Sequence, residues 1–144
     1  FISKALQKHY NMYDRELNLT KLLERKSFFL FGPRSTGKTT LIKQQLPNSK
    51  VFDLFKSETY LRLVKNPSLL EESIQDNNQY IVIDEIQKLP ALLDEVHRLI
   101  EAKGIRFLLT GSSARKLKHG GANLLAGRAW LANLLEMLLN TLLF

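Results

Sequence analysis

The chain is 144 residues long, 44% hydrophobic and 24% charged, with a formal net charge of +7. Length and composition indicate one domain with a single core and exclude both a disordered chain and a two-domain enzyme. Cysteine is absent, which rules out disulfides, thiolate metal sites and a cysteine nucleophile.

Residues 1–26 read as a polar lead-in with a short amphipathic helix, in which Asp14 caps and Leu17, Leu22 and Leu23 turn inward. The stretch Phe1 to Lys8 lacks the apolar run and small-residue cleavage site of a signal peptide, so a cytoplasmic protein is expected. Ser27 to Phe31 is an apolar run of buried-strand type, and Lys38 to Leu46 places Leu41, Ile42, Gln45 and Leu46 on one helical face. Between them Gly32-Pro33-Arg34-Ser35-Thr36-Gly37-Lys38-Thr39 has the spacing G-x-x-x-x-G-K-T without a gap, and Thr40 follows. This is the phosphate-binding P-loop pattern.

A polyphosphate needs many donors converging on a small volume, which the backbone N–H groups of a glycine loop and a helix N-terminus supply. Glycine at 32 and 37 permits close backbone approach. Lys38 brings a mobile ammonium to the outer phosphates, and Thr39 is the expected magnesium ligand.

After the break at Pro47-Asn48-Ser49, a second strand is expected over Val51 to Phe55. Ser57 to Lys65 reads as a helix, Asn66-Pro67 interrupts it, and Ser68 to Gln75 resumes with Leu69, Leu70 and Ile74 inward. Tyr80 to Ile83 is a further apolar strand closing on Asp84 and Glu85. Carboxylates at the C-terminal end of a buried parallel strand lie at the crevice where ligands bind. Asp84 there suits magnesium, directly or through water, and Glu85 suits taking a proton from an attacking water. For the bare pair the alternative is a solvated turn.

Leu89-Pro90 opens a helix with a stripe of Leu92, Leu93, Val96, Leu99 and Ile100, ended by Lys103-Gly104. His9, His97 and His119 share no metal-ligand spacing and read as surface or boundary residues. Arg106 to Thr110 is another apolar strand, followed by Gly111-Ser112-Ser113. Thr110 is a candidate sensor of the γ-phosphate or its attacking water; the alternative for this polar run is a serine N-cap of the next helix. From Ala102 to Leu135 there are six basic residues, Lys103, Arg106, Arg115, Lys116, Lys118 and Arg128, and no acid. Such a face can meet DNA, line a phosphate site or be solvated; no interleaved aromatics favour base stacking.

Three apolar strands closing on Gly-Pro-Arg-Ser-Thr-Gly-Lys-Thr, Ile-Asp-Glu-Ile-Gln-Lys-Leu-Pro and Leu-Thr-Gly-Ser-Ser, with Leu-Ala-Gly-Arg beyond them, form a set that resembles the AAA-type ATPases. More narrowly it is similar to the prokaryotic predicted AAA+ ATPases, in which a C-terminal domain of unknown function usually follows. The resemblance covers roughly residues 13 to 129. It implies an α/β P-loop NTPase fold, a three-layer sandwich with a mainly parallel central sheet and the P-loop strand central, without a recognisable lid domain. ATP is the implied nucleotide. By position, Lys38 and Thr39 form the Walker A pair, Asp84 and Glu85 the Walker B pair, and Thr110 the sensor-like residue. Arg128 is placed like an arginine that reaches a neighbouring subunit's γ-phosphate, although pairing within its own domain fits equally, as it does for Arg34.

On this reading residues 27–129 are the ATPase core and residues 130–144 an apolar tail. Eleven of those 15 tail residues are apolar, too short a run for a typical membrane span of ~20 residues. The tail is a last strand and helix, a contact surface for a copy or another protein, or a truncated end. The expected function is Mg²⁺-dependent hydrolysis of ATP to ADP and phosphate. The alternative is a nucleotide-gated binding module with little hydrolysis that engages DNA or a protein partner, and a phosphotransferase is a third reading.

Overall fold

The computed structural model describes residues 18–33, 37–112 and 117, and the backbone of 129–133. Its first element is helix α1 (Leu19–Arg25), started by Asn18, whose side chain accepts from the Lys21 N–H at 3.0 Å. The helix expected before Ser27 is therefore capped at Asn18, while Asp14 and Leu17 lie outside the described residues. Strand β1 (Ser27–Phe31) follows, buried at every position, as a strand covered on both faces must be. Helix α2 (Lys38–Gln45) comes next, then β2 (Lys50–Asp53), α3 (Ser57–Lys65), α4 (Leu69–Glu72), β3 (Ile81–Asp84), a 3₁₀ turn (Ile86–Lys88), α5 (Leu92–Lys103), β4 (Phe107–Gly111) and β5 (Ala129–Asn133).

Two predicted elements are shorter than their patterns suggest, for local reasons. The strand expected to run to Phe55 stops at Asp53, whose carboxylate accepts from the Phe55 N–H at 2.9 Å while its carbonyl accepts from Lys56 at 3.1 Å. That side-chain turn competes with the ladder. The helix expected over Ser68 to Gln75 is the single turn α4, because Ser73 donates its hydroxyl back to the carbonyls of Leu69 and Leu70, at 2.7 and 2.9 Å. Helix α5 ends as predicted, with Gly104 in the left-handed region at φ 64°.

The five strands form one sheet in the order β2-β3-β4-β1-β5, and every neighbouring pair is parallel. The P-loop strand β1 is interior, but the middle place belongs to β4. Strand alternation divides the core in two. Phe29, Phe31, Ile81, Ile83, Phe107 and Leu109 meet α5 through Leu92, Leu93, Val96 and Leu99, with Leu63 and Leu70 beside them. Phe28, Leu30, Val82 and Leu108 face the other way, onto Leu19, Leu23, Leu41 and Ile42 of α1 and α2. The result is the three-layer α/β sandwich expected of a P-loop NTPase core. The strand β5 takes in the first residues of the apolar segment, pairing Ala129–Asn133 with Ser27–Phe31.

Candidate functional site

Parallel strands bring all their C-terminal ends to one edge of the sheet, and three of those ends carry the residues singled out from the sequence. Ladder register puts Phe31 beside Gly111 and Ile83 beside Leu109, so Asp84 stands level with Thr110, and Asp53 is paired with Asp84. Because β4 lies between β1 and β3, Thr110 sits between the P-loop and the carboxylates.

Gly37, the residue before α2, has φ 87°, a conformation that glycine adopts without steric cost. It turns the chain from the loop into the helix, leaving the first N–H groups of α2 without intrahelical acceptors. Lys38 is buried, and its ammonium donates to the carbonyls of Gly32 and, at 3.0 Å, Pro33. The lysine is thus folded onto its own loop. Burial pushes the Lys38 ammonium below the usual lysine range, against the pull of the Glu85 and Asp84 carboxylates. Thr39 and Thr40 are exposed on the first turn of α2. The loop is also tied to the middle strand, since the Gly32 N–H donates to the Gly111 carbonyl at 3.1 Å.

Thr110 is fully buried and its hydroxyl is used twice. It donates to Asp84 Oδ1 and accepts from the Glu85 N–H at 3.1 Å. Burial raises the Asp84 carboxyl above its ordinary range; the Thr110 hydrogen bond and Lys38 oppose the shift, and Glu85 and Asp53 add to it. Glu85 is buried and takes the left-handed conformation, φ 64° and ψ 51°, the only positive φ at a non-glycine among the described residues. Its carboxylate accepts from the Gln87 amide.

The structure therefore brings Lys38, Asp84, Glu85 and Thr110 to one sheet edge, with Gly32, Pro33, Gly37, Thr39 and Thr40 beside them. Arg34, Ser35, Thr36 and Arg128 lie outside the described residues, as do Arg115, Lys116 and Lys118. The acid-free basic run does not make an acid-free surface, because Lys103 pairs with Glu71 at 3.0 Å. Sequence reasoning gave no role to Asp53, Gln87 or Gly111. Asp53 lay in the middle of its predicted strand, so its place at a strand end was not signalled. Gln87 was legible only as part of the motif, and its contact with Glu85 is seen in the structure alone.

Among the described residues no group of three or more His, Cys, Asp or Glu side chains has the geometry to hold a metal ion, and no helix is long and apolar enough to cross a membrane. A magnesium ion at Thr39 and Asp84 would have to take its remaining ligands from phosphate and water, which is its usual habit at nucleotide sites. The Thr39 hydroxyl and the Asp84 carboxylate are hard oxygen donors of the kind such a cation takes.

Comparison with known proteins places this geometry. A family model described as an AAA domain matches residues 24–143. C. elegans PCH-2 is similar in structure at a TM-score of 0.48 and 18% identity, over 88% of this chain and 38% of that one. A chain in the structure of Drosophila ORC bound to GC-rich DNA and Cdc6 is similar at a TM-score of 0.51 and 13% identity, over 89% of this chain and 55% of that one. This chain thus spans well under two thirds of either, and at such identity the ORC likeness speaks to the fold alone. No curated protein matches. The family model covers most of the sequence, so the chain belongs to the AAA domain family.

Proposed function

We propose that this domain binds ATP with magnesium at the C-terminal edge of the sheet and hydrolyses it to ADP and phosphate. The observation that carries the proposal is the convergence of the Lys38, Asp84, Glu85 and Thr110 groups from three adjacent strand ends, with Thr110 bonded to both Asp84 and Glu85. The loop from Gly32 to Thr40 would hold the phosphates. Lys38, released from the Gly32 and Pro33 carbonyls, would bear on the outer phosphate charge. Thr39 and Asp84 would hold magnesium, which supplies charge neutralisation at the phosphates when bound. Glu85 accepts the proton of the attacking water. Thr110 supports both carboxylates, fixing Asp84 through its side chain and Glu85 through its backbone.

The finer parts of this reading are the likeness to prokaryotic predicted AAA+ ATPases with a further domain, a homo-oligomer in which Arg128 serves a neighbour's nucleotide, a protein partner at the apolar tail, and DNA at the basic residues. A second reading, the nucleotide-gated module with little hydrolysis, is favoured by one contact: the Glu85 carboxylate is held by Gln87.

Steady-state turnover of the wild type against Glu85→Gln, with and without EDTA, tests the proposal. Loss of the general base is expected to lower kcat by about 10²–10⁴-fold, and chelation to abolish turnover. A wild type no faster than the variant would end the hydrolase reading and leave the binding module.

A further inference from the structure

Strand β2 is the outer strand of the sheet on the side away from β5, and among the described residues it pairs with β3 alone. Lys50 and Leu54 donate their N–H groups to the Tyr80 and Asp84 carbonyls, at 3.0 and 3.1 Å. Alternate residues of a strand turn their peptide groups to alternate sides, so the N–H and C=O of Val51 point away from β3, to the open edge. The Val51 side chain is 48% exposed.

Beside this edge is a cleft of about 360 Å³ between β2 and the helices α3 and α4. Its apolar lining is Phe52, Leu63 and Leu69, which pack onto the core on the α5 side of the sheet. Its charged lining is Lys50, Arg62 and Glu72, and no ion pair holds any of the three among the described residues. Two cations thus outnumber one acid. The Lys50 ammonium lies 5.9 Å from the centre of the Phe52 ring, so charge and apolar surface adjoin on that side of the strand.

A free edge supplies main-chain hydrogen bonds to an extended chain, and a cleft along it selects the side chains. A strand added antiparallel exchanges two such bonds with Val51, and its residues on either side then stand opposite Phe52 and Lys50. Those two neighbours face the cleft, because residues two apart share one side of a sheet. Along the incoming chain, the first of them meets the apolar lining and the second meets Lys50 and Arg62.

We propose that the β2 edge docks an extended segment of another polypeptide, one carrying an apolar residue, a spacer and an acidic residue in that order. Val51 pairs with the spacer, and Lys50 and Arg62 select the acid. A lysine on the edge also disfavours strands that lack a matching charge. None of these residues is assigned to the nucleotide site, so the proposal does not rest on the ATPase reading.

Fluorescein-labelled nonapeptides with a central Leu-Val-Glu, titrated with the full chain and followed by fluorescence anisotropy, test this. Saturable one-to-one binding is expected. Replacing the peptide's glutamate by lysine, or Arg62→Ala in the protein, should weaken it about tenfold, the worth of one hydrogen bond to a charged group. N-methylation of the peptide's central valine removes the donor to the Val51 carbonyl and should abolish binding with the protein untouched. Lys50→Ala serves if Arg62→Ala does not fold. Exchange of the Val51 amide, read by NMR, should slow when the peptide is added. Equal binding of the glutamate and lysine peptides, indifference to N-methylation, or no binding overturns the proposal. Slow exchange at Val51 in the protein alone also overturns it: where the slowing grows with protein concentration a second copy fills the edge, and where it does not a segment of this chain fills it.

Discussion

Lys38 and Asp84 each carry a charge that the fold partly removes from water. Lys38 offsets that loss by donating to two loop carbonyls, contacts that the proposed phosphate-binding role would have it exchange for phosphate oxygens. In the wild type, ATP at about 100 times Kd is expected to stabilise the fold by about 2.7 kcal/mol. Lys38→Ala should lose this thermal shift, as measured by scanning fluorimetry; an undiminished shift would remove the lysine from the site. Asp84 makes the opposite demand. Its carboxyl is raised, chiefly by burial, so the folded state favours the protonated form. That contribution is complete below the ordinary aspartate value of 3.8 and is lost as pH rises through the raised folded value. Asp84→Asn keeps an oxygen to accept from Thr110 and removes the buried charge. Without nucleotide or metal it should melt about 2–4 °C higher than the wild type at pH 7. The difference should close as pH falls toward 4, and a variant less stable than the wild type at pH 7 would contradict this account. The same variant should lose turnover if Asp84 serves as the proposed magnesium ligand, since stability and that role ask opposite things of one carboxylate.

Among the elements, the ends matter more than the middles. Helix α1 depends on the Asn18 cap, and Asn18→Ala should cost about 1 kcal/mol. Helix α5 ends on Gly104, where a Cβ would meet nothing within 4 Å although φ is 64°. Gly104→Ala therefore tests backbone strain with no steric clash, and about 1 kcal/mol of destabilisation is expected. Both losses should appear as a lower denaturation midpoint with an unchanged slope. No loss at Gly104 would mean that the helix end relaxes to another conformation. The turn after β3 is the functional counterpart: Glu85 accepts a left-handed conformation that most side chains avoid, stabilised by Thr110 and Lys88 on either side of its peptide.

For the whole molecule, the decisive contacts join segments far apart in the chain. Ser27 is buried at the start of β1 and its hydroxyl accepts from the Phe107 N–H at 2.9 Å, linking strands 80 positions apart. Ser27→Ala leaves that N–H buried without its partner and should cost about 1–3 kcal/mol, a loss a serine on the surface would not show. Phe29 stacks on Phe31 with ring centroids 5.4 Å apart and is fully buried on the α5 side. Its replacement by alanine should cost about 3–5 kcal/mol.

The sequence alone determined the strands β1, β3 and β4 and the helices α2, α3 and α5, and it supplied the glycine-spaced loop between β1 and α2. These are written in short-range terms: apolar runs, a helical stripe, a glycine spacing and a glycine stop. Ends set by side-chain turns, as at Asp53 and Ser73, were less legible because one hydrogen bond there outweighs a weak periodicity. Only the tertiary structure decided that β4 lies between β1 and β3, since strand order follows from packing two faces at once rather than from any local pattern. With that order come the Thr110 bridge to Asp84 and Glu85, the pairing of Lys103 with Glu71, and the contact of Gly111 with Gln87. Each joins residues more than 20 positions apart, a separation the chain's local chemistry does not encode.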